Sequence, residues 1–400
     1  MAHRPIIWLA ALWQLVFMVD FIAPLPLGPA LSTELGFAAP QVAWLSVSYT
    51  LASLCSGLLA APVVEKLGRR RTVLACLALF CAANLVTPWA QSLTELALCR
   101  AAAGLFGAPV VATLMALVID GTPGQHRGKA ISWVMSGASM AVIAGVPSAL
   151  ALANHWSWHA VFWVLGLVTL GLLAVIACLP PALMGHVSPS RADGPPAAIF
   201  PGLLKQRPVQ QAFALQALSQ FSTFLLIPVL ATYLVSNRHV RTDDLPLLYS
   251  AGGLASLSCM HIAGRAADRW GHLGPLRMAC VLLLASMATL AWPVALDNPI
   301  VTGLGFVTFM AANAAKNVAL SSFTVGLAPT QHRAAFMNIQ GSVQDLAILL
   351  AGLGPLCLLA QAPQAGQITG MPGLFGLAAV SLLILAFGVK APRGHRLRSC

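Results

Sequence analysis

The chain has 400 residues, of which 58% are hydrophobic and only 8% are charged. A soluble protein carries about 25% charged residues, so this composition excludes a soluble globular protein and indicates a polytopic membrane protein. The net charge of +11 does not indicate nucleic-acid binding. The longest basic run is only Arg69-Arg70-Arg71, and positive charge collects in the cytoplasmic loops of membrane proteins.

Twelve apolar segments follow one another along the chain, each about as long as the 20 or so residues that cross a bilayer as a helix. They lie at residues 6–29, 41–62, 72–90, 94–119, 130–153, 159–179, 209–235, 246–264, 275–293, 299–327, 335–360 and 371–389. A polar, proline-rich interval divides them six and six. The segments and this interval predict an all-α membrane protein with an N-terminal bundle at 1–179, a cytoplasmic loop at 180–208, a C-terminal bundle at 209–390 and a basic tail at 391–400.

The basic residues predict how the chain is oriented. With a cytoplasmic N-terminus, 18 of the 22 lysines and arginines fall inside, while Arg238 and Arg241 fall outside and Arg100 and Lys316 fall within segments. Lys and Arg are enriched in the cytoplasmic loops of membrane proteins. We therefore expect twelve spans in the inner (cytoplasmic) membrane, with both termini in the cytoplasm.

Two short patterns recur at matched places in the two halves. One pattern is an acid followed by a base, with a glycine three residues after the acid. It follows the second segment at Glu65 to Gly68 and the eighth segment at Asp268 to Gly271. A Gln-His-Arg tripeptide follows both the fourth and the tenth segment. Such repetition indicates an internal duplication, which is typical of transporters.

The loop after the second segment resembles motif A of the major facilitator superfamily, G-x-x-x-D-R-x-G-R-[RK], with Ala61 at the first glycine and Glu65 at the aspartate. The resemblance covers nearly the whole chain and implies that superfamily's fold, two pseudo-symmetric six-helix bundles. It also implies a charged latch that holds the halves together on the cytoplasmic side when the outside is open. The implied latch residues are Glu65, Gly68, Arg69, Asp120, Arg127, Asp268, Arg269 and Gly271.

Two further motifs resemble those of one branch of the superfamily. Arg100 in the fourth segment is similar to the arginine of motif B in proton-coupled members. Gly145 and Pro147 in the fifth segment resemble a variant of motif C, in which Ser148 and Ala149 replace the usual glycine pair. These resemblances imply an exporter of the drug/proton-antiporter type.

Four charged residues stand out because they lie deep within the apolar segments, where a charge costs about 2.5–3.5 kcal/mol on insertion scales and is a candidate for function. Asp20, near the middle of the first segment, is the predicted proton carrier, and the motif B resemblance assigns Arg100 to the same coupling. Lys316 and Asp345 are predicted to form a pair. The predicted substrate-cavity residues are Gln14, Asn313, Lys316 and Asp345. A purely structural role, as a buried hydrogen-bonded group or a tie between helices, remains the alternative for each.

The sequence thus predicts a secondary active transporter that exports a small organic molecule or drug in exchange for protons by alternating access. The G-x-x-x-x-G-K-[ST] motif of nucleotide-binding loops is missing from the sequence, so ATP is not the expected energy source. The alternatives are an exporter of one polar metabolite, such as a sugar, amino-acid derivative or siderophore, and a non-transporting membrane sensor. The expected partners are the substrate, protons and the bilayer. No enzyme activity, cofactor, metal or nucleic acid is expected, and the protein is expected to act as a monomer.

Overall fold

The structure, a computed structural model, describes residues 4–123, 126–180, 205–291, 298–327, 333–361 and 367–388. Most of the predicted central loop and the whole predicted tail at 391–400 lie outside the described residues. The described chain is almost entirely helical, as expected of apolar segments whose backbone groups must bond within the segment in lipid. A short antiparallel pair, β1 (Ala360–Gln361) and β2 (Ile368–Thr369), is the exception.

The helices fall into two sets, one in each half of the chain. Those of the first half are α1 (Arg4–Ile22), α2 (Gly28–Leu35), α3 (Ala43–Leu67), α4 (Arg69–Val86), α5 (Leu93–Asp120), α6 (Arg127–Met140), α7 (Val146–His155) and α8 (Trp158–Cys178). Those of the second half are α9 (Arg207–Phe224), α10 (Ile227–Arg238), α11 (Leu245–Trp270), α12 (Leu273–Ala291), α13 (Pro299–Leu327), α14 (Arg333–Leu358) and α15 (Met371–Gly388).

Each of the twelve predicted segments coincides with one helix or with helices joined in line, which confirms the all-α membrane fold. Within the described ranges, ten stretches are long and apolar enough to cross a membrane. The other two predicted segments correspond to α3 and α13, which are helices of 25 and 29 residues. The first segment divides between α1 and α2 at Pro24 and Pro26, because proline has no N–H to continue the helical ladder.

The internal repeat extends to the backbone. Gly68 and Gly271 occupy matched places before α4 and α12, and their φ angles are +79° and +82°. This left-handed region is open to glycine but strained for residues that carry a Cβ. The two copies of the motif therefore make the same sharp turn between consecutive helices.

The two halves pack together at one face of the helix bundle. We name the face at which α1 begins the N-terminal face. Near the other face, Gly352 of α14 lies against Val47 of α3. At the same end the Asn154 side chain donates a 3.2 Å hydrogen bond to the Thr242 carbonyl oxygen. The space between the halves is thus closed at the face opposite the N-terminal face.

Candidate substrate cavity and buried charge pair

A cavity of about 600 Å³, the central cavity, lies between the two halves. It is lined by the end of α1, by α6 and the turn after it, and by α9, α10, α11 and α13. Apolar and aromatic side chains form most of the wall, as in typical small-molecule sites. The polar side chains of the wall are those of Ser139, Tyr249, Ser256, Asn313, Asn317, Ser321 and Ser322.

One of the four predicted cavity residues, Asn313, lines the central cavity. In this conformation the other three, Gln14, Lys316 and Asp345, are not among the residues that line the cavity. Gln14 is buried within the first half, and Asp345 is half-buried on α14. The physical reason is helix rotation, because a segment that is apolar on nearly every side does not reveal which side faces a cavity.

Lys316 is completely buried behind the cavity wall. Its Nζ donates a 2.8 Å hydrogen bond to the Ser219 carbonyl oxygen. The Ser219 hydroxyl in turn donates a 3.4 Å hydrogen bond to Oδ1 of Asn317, which lines the cavity. The predicted Lys316–Asp345 pair is not formed, since it is not among the ion pairs of the described residues.

Asp20 and Arg100 form an ion pair that the sequence did not predict, although it assigned both residues to the same coupling. The Nη1–Oδ1 distance is 2.6 Å, and both side chains are at most 1% exposed. Asp20 lies in the last turn of α1, and Arg100 lies in the second turn of α5. A signal was available, because these are the two charges buried deepest in the segments of the first half and they have opposite signs. We call them the buried pair.

Arg100 of the buried pair also contacts α4, the turn after α4 and α8, all in the first half. Arg100 Nη2 donates to Thr87 Oγ1 at 2.7 Å and to Asn84 Oδ1 at 3.4 Å. The guanidinium carbon lies 4.5 Å from the centroid of the Phe162 ring. These contacts stabilise a cation that would otherwise be very costly to bury.

Aromatic rings connect the buried pair to the central cavity. Tyr49 lies against Asp20, and its ring centroid is 5.2 Å from that of Phe21. Phe21 stacks on Phe224 across the two halves at 6.2 Å, and Phe224 lines the cavity. A movement of side chains in the cavity wall can therefore be transmitted to Asp20 through direct packing contacts. The sequence prediction missed Tyr49 and Phe224, because no spacing marks a lone aromatic residue in an apolar segment.

The motif C-like residues lie at a break in helix geometry. A π-helical turn, Ala141–Gly145, joins α6 to α7, and Pro147 follows in the first turn of α7. Gly145 packs directly against Val19 of α1, where a Cβ would clash. The turn also places Val142 and Ile143 in the cavity wall. π-helical turns are frequent at functional sites, and this one forms part of the contact between the halves.

Those predicted latch residues whose side chains the structure describes form no ion pair between the halves in this conformation. Arg69 pairs with Asp120 at 2.7 Å within the first half. Asp268 and Arg269 are exposed at the end of α11. The side chains of Glu65 and Arg127 lie outside the described residues. Every ion pair between described residues stays within one half, which agrees with halves that are packed at the opposite face.

The Arg69–Asp120 pair is expected to add little stability here. Its side chains are 20% and 31% exposed, and partly solvated pairs contribute about 0.2–1 kcal/mol. We expect Arg69→Gln to lower the free energy of unfolding in detergent by no more than about 1 kcal/mol. Arg71→Gln, at an exposed neighbour, is the matched control. A much larger loss for Arg69→Gln alone would mean that the pair supports the fold of this conformation.

Comparison with known proteins identifies the family. The family model described as Major Facilitator Superfamily matches residues 10–352. The chain belongs to the major facilitator superfamily. Its members are membrane transporters of small molecules rather than enzymes, and they typically couple to protons. The resemblance found in the sequence is thereby confirmed.

The names of similar proteins within the superfamily refer to different small molecules. A chloramphenicol resistance protein from Streptomyces lividans is 25% identical over 368 residues, which cover 90% of this chain and 89% of that protein. The solved structure of a D-xylose-proton symporter has a TM-score of 0.76 at 16% identity, covering 98% of this chain and all of that one. The nucleoside transporter NupG has a TM-score of 0.75 at 14% identity, covering 95% and 97%. The two structural likenesses show the fold alone.

Proposed function

We propose that this superfamily member exports a small organic molecule in exchange for protons, by alternating access in the cytoplasmic membrane with both termini inside. The observation that carries the proposal is the packed route from the central cavity, through Phe224, Phe21 and Tyr49, to the buried pair. An exchanger needs a substrate site and a proton site that sense each other, and this route joins two such candidates.

In this proposal Asp20 is the proton carrier. While it is paired with Arg100, as here, it is an anion and holds the first half in one packing arrangement. A proton that arrives from the opposite face would neutralise Asp20 and release Arg100 to Thr87 and Asn84, which already contact it. The membrane potential supplies about 2.3 kcal/mol per charge per 100 mV to drive that step.

The predicted latch residues act in the other stage of the transport cycle, when the outside is open. When the N-terminal face closes, we expect the motif A charges of the first half to meet the second half across that face. Three charged residues are available for this contact between the halves. Arg69 is now paired with Asp120, and Asp268 and Arg269 are exposed. The two bundles, 1–179 and 209–390, would rock as units about the fixed site, as in other inverted-repeat transporters. Both come from one chain, so a monomer suffices.

Export is supported by the similarity to a chloramphenicol resistance protein and by the motif C-like turn at Gly145 and Pro147. The polar wall at Asn313 and Asn317 favours the second candidate, an exporter of one polar metabolite. Both candidates share the same cavity and the same coupling, so one assay with several compounds separates them. A non-transporting sensor would need no proton-linked accumulation at all.

Transport into everted membrane vesicles tests the proposal. With an imposed pH gradient, acidic in the lumen, we expect labelled chloramphenicol, a sugar or a siderophore to accumulate in vesicles that contain the protein. A protonophore should abolish the accumulation, because the proton gradient supplies the energy. Vesicles without the protein are the control. Accumulation that persists at the same level without a gradient would contradict proton exchange, and absence of protein-dependent movement of any compound would favour the sensor.

A further inference from the structure

The central cavity has a wall without formal charge. Of the described residues that line it, none is acidic or basic, and its polar groups are hydroxyls and amides. A ligand that carried a permanent positive charge would lose its hydration there and meet no carboxylate in return. Burying an uncompensated charge is strongly unfavourable. The wall alone therefore disfavours cationic ligands.

Lys316 places its amine directly behind this wall. It follows Asn313 by less than one helical turn and precedes Asn317, and both of these residues line the cavity. One hydrogen-bond chain joins its Nζ through Ser219 to Asn317. The group that faces it from α12 is Cys280 rather than an acid. Among the described residues no carboxylate lies within ion-pair distance of Lys316.

When Lys316 is protonated, its buried ammonium has no counter-ion among the described residues, so it repels a second cation and attracts an anion, and the low dielectric of the interior strengthens both effects. The cavity wall beside Asn317 is where a ligand comes nearest to Lys316 along the hydrogen-bond chain. A negatively charged or oxygen-rich ligand group placed there would supply the missing counter-charge. The same position is unfavourable for an ammonium group.

Two further features describe the rest of the ligand. Oδ1 of Asn313 is buried and has no hydrogen-bond partner among the described residues, so it is available to accept from an N–H or O–H of a ligand. Phe224, Phe306 and Phe309 supply aromatic side chains to the cavity wall. A flat apolar body with one polar end matches this distribution of groups.

We infer that the cavity takes an amphipathic aromatic compound without positive charge, which presents a carboxylate or other oxygen acceptor toward Asn317 and, where it has one, an N–H or O–H to Asn313. The inference rests on the proposed function, which makes the central cavity the substrate site, and it narrows the substrate class. Lys316 is then a specificity residue that acts through Ser219 and Asn317 rather than by direct contact.

Binding of three matched probes to the purified full chain in detergent tests the inference. The probes share a naphthalene body and carry a propanoate, the corresponding primary amide or a trimethylammonium group. We expect the propanoate to bind at least as tightly as the amide and the trimethylammonium compound to bind at least about tenfold more weakly, as one uncompensated charge at short range predicts. Binding of the cation as tight as that of the amide would overturn the inference, as would failure of all three to bind at millimolar concentration.

Substitution of Lys316 identifies the source of the preference. Lys316→Met should weaken propanoate binding relative to amide binding by about tenfold and leave the amide nearly unchanged. Arg277→Met, at an exposed arginine on α12, should leave both unchanged. An unaltered propanoate-to-amide ratio in Lys316→Met would overturn the inference.

Asn313→Asp provides a second variant in case Lys316→Met does not fold. It places a carboxylate in the wall and should raise the affinity of the trimethylammonium probe by at least about tenfold. An unchanged affinity for the cation would count against the inference. These measurements need neither a membrane nor a gradient. A vesicle experiment that showed no proton coupling or no export would not change these binding results. Binding results that contradict the inference would likewise not contradict the proposed proton coupling.

Discussion

Replacing Arg100 by methionine is expected to lower the free energy of unfolding by about 3–5 kcal/mol, because it leaves the Asp20 carboxylate buried without its partner. Both side chains are at most 1% exposed, and their charged atoms are 2.6 Å apart. Asp20→Asn alone should also destabilise, since the guanidinium then stays buried with only Thr87, Asn84 and the Phe162 ring around it.

The double variant, Asp20→Asn with Arg100→Met, should be much less destabilised than the sum of the two single variants. Neutralising both members of a buried pair is often nearly neutral for stability, because the desolvation cost of two charges disappears together with their attraction. Unfolding in detergent, measured for the parent, both single variants and the double variant, gives the coupling energy of the pair. Arg265→Met, at an exposed arginine of α11, is the control. Additive losses would mean that the two charges act independently.

The double variant also separates a structural role from a coupling role. If the pair only ties α1 to α5, a folded double variant should still accumulate substrate against a gradient. If Asp20 carries the proton, the same variant should bind substrate and move it down a gradient, but accumulation driven by an imposed pH gradient should fall at least about 100-fold, since the carboxylate that would carry the proton is gone. Proton-driven accumulation by a folded double variant would remove Asp20 from the mechanism.

The fold could be predicted from the sequence because the bilayer imposes a length on each helix. Runs of about 20 apolar residues predict spans, and the prolines at 24 and 26 fall where the first span breaks in the structure. The matched glycines, Gly68 and Gly271, follow from the repeat and occupy the same backbone conformation. Each of these features is determined by residues that are near one another in the sequence.

The partners of the buried charges could not be predicted in the same way. Lys316 and Asp345 lie on consecutive helices, yet Lys316 turns toward the Ser219 carbonyl of α9. Asp20 meets Arg100 from 80 residues away. Which helix faces a given charge depends on the rotation of each helix about its axis, and that rotation is determined by the packing of small residues such as Gly104 against the Tyr49 backbone. A span that is apolar on all sides carries no periodic signal for it.

Replacing Gly253 by leucine is expected to reduce transport at least about tenfold while leaving the protein folded. Gly253 lies on α11, and a Cβ there would come within 2.8 Å of the Ile143 Cα and 3.1 Å of the Val142 carbonyl oxygen. Both atoms are backbone atoms of the π-helical turn, so they cannot move aside as a flexible side chain would. A larger residue should therefore hold the two halves apart at the opposite face, and alternating access requires that this face close in every cycle.

Gly171→Leu is the matched control, because Gly171 also lies within a helix and a Cβ there would meet nothing within 4 Å. Helix propensity by itself favours leucine over glycine by up to about 1 kcal/mol, so the control should fold and transport normally. The position of the opposite face can be followed separately. With the native cysteines replaced, Asn154→Cys, at the contact with Thr242, should react faster with a membrane-impermeant maleimide when Gly253 is leucine. Normal transport by Gly253→Leu would mean that the halves need not approach this closely, whereas lost transport together with faster labelling would identify the π-helical turn as the surface on which the second half closes.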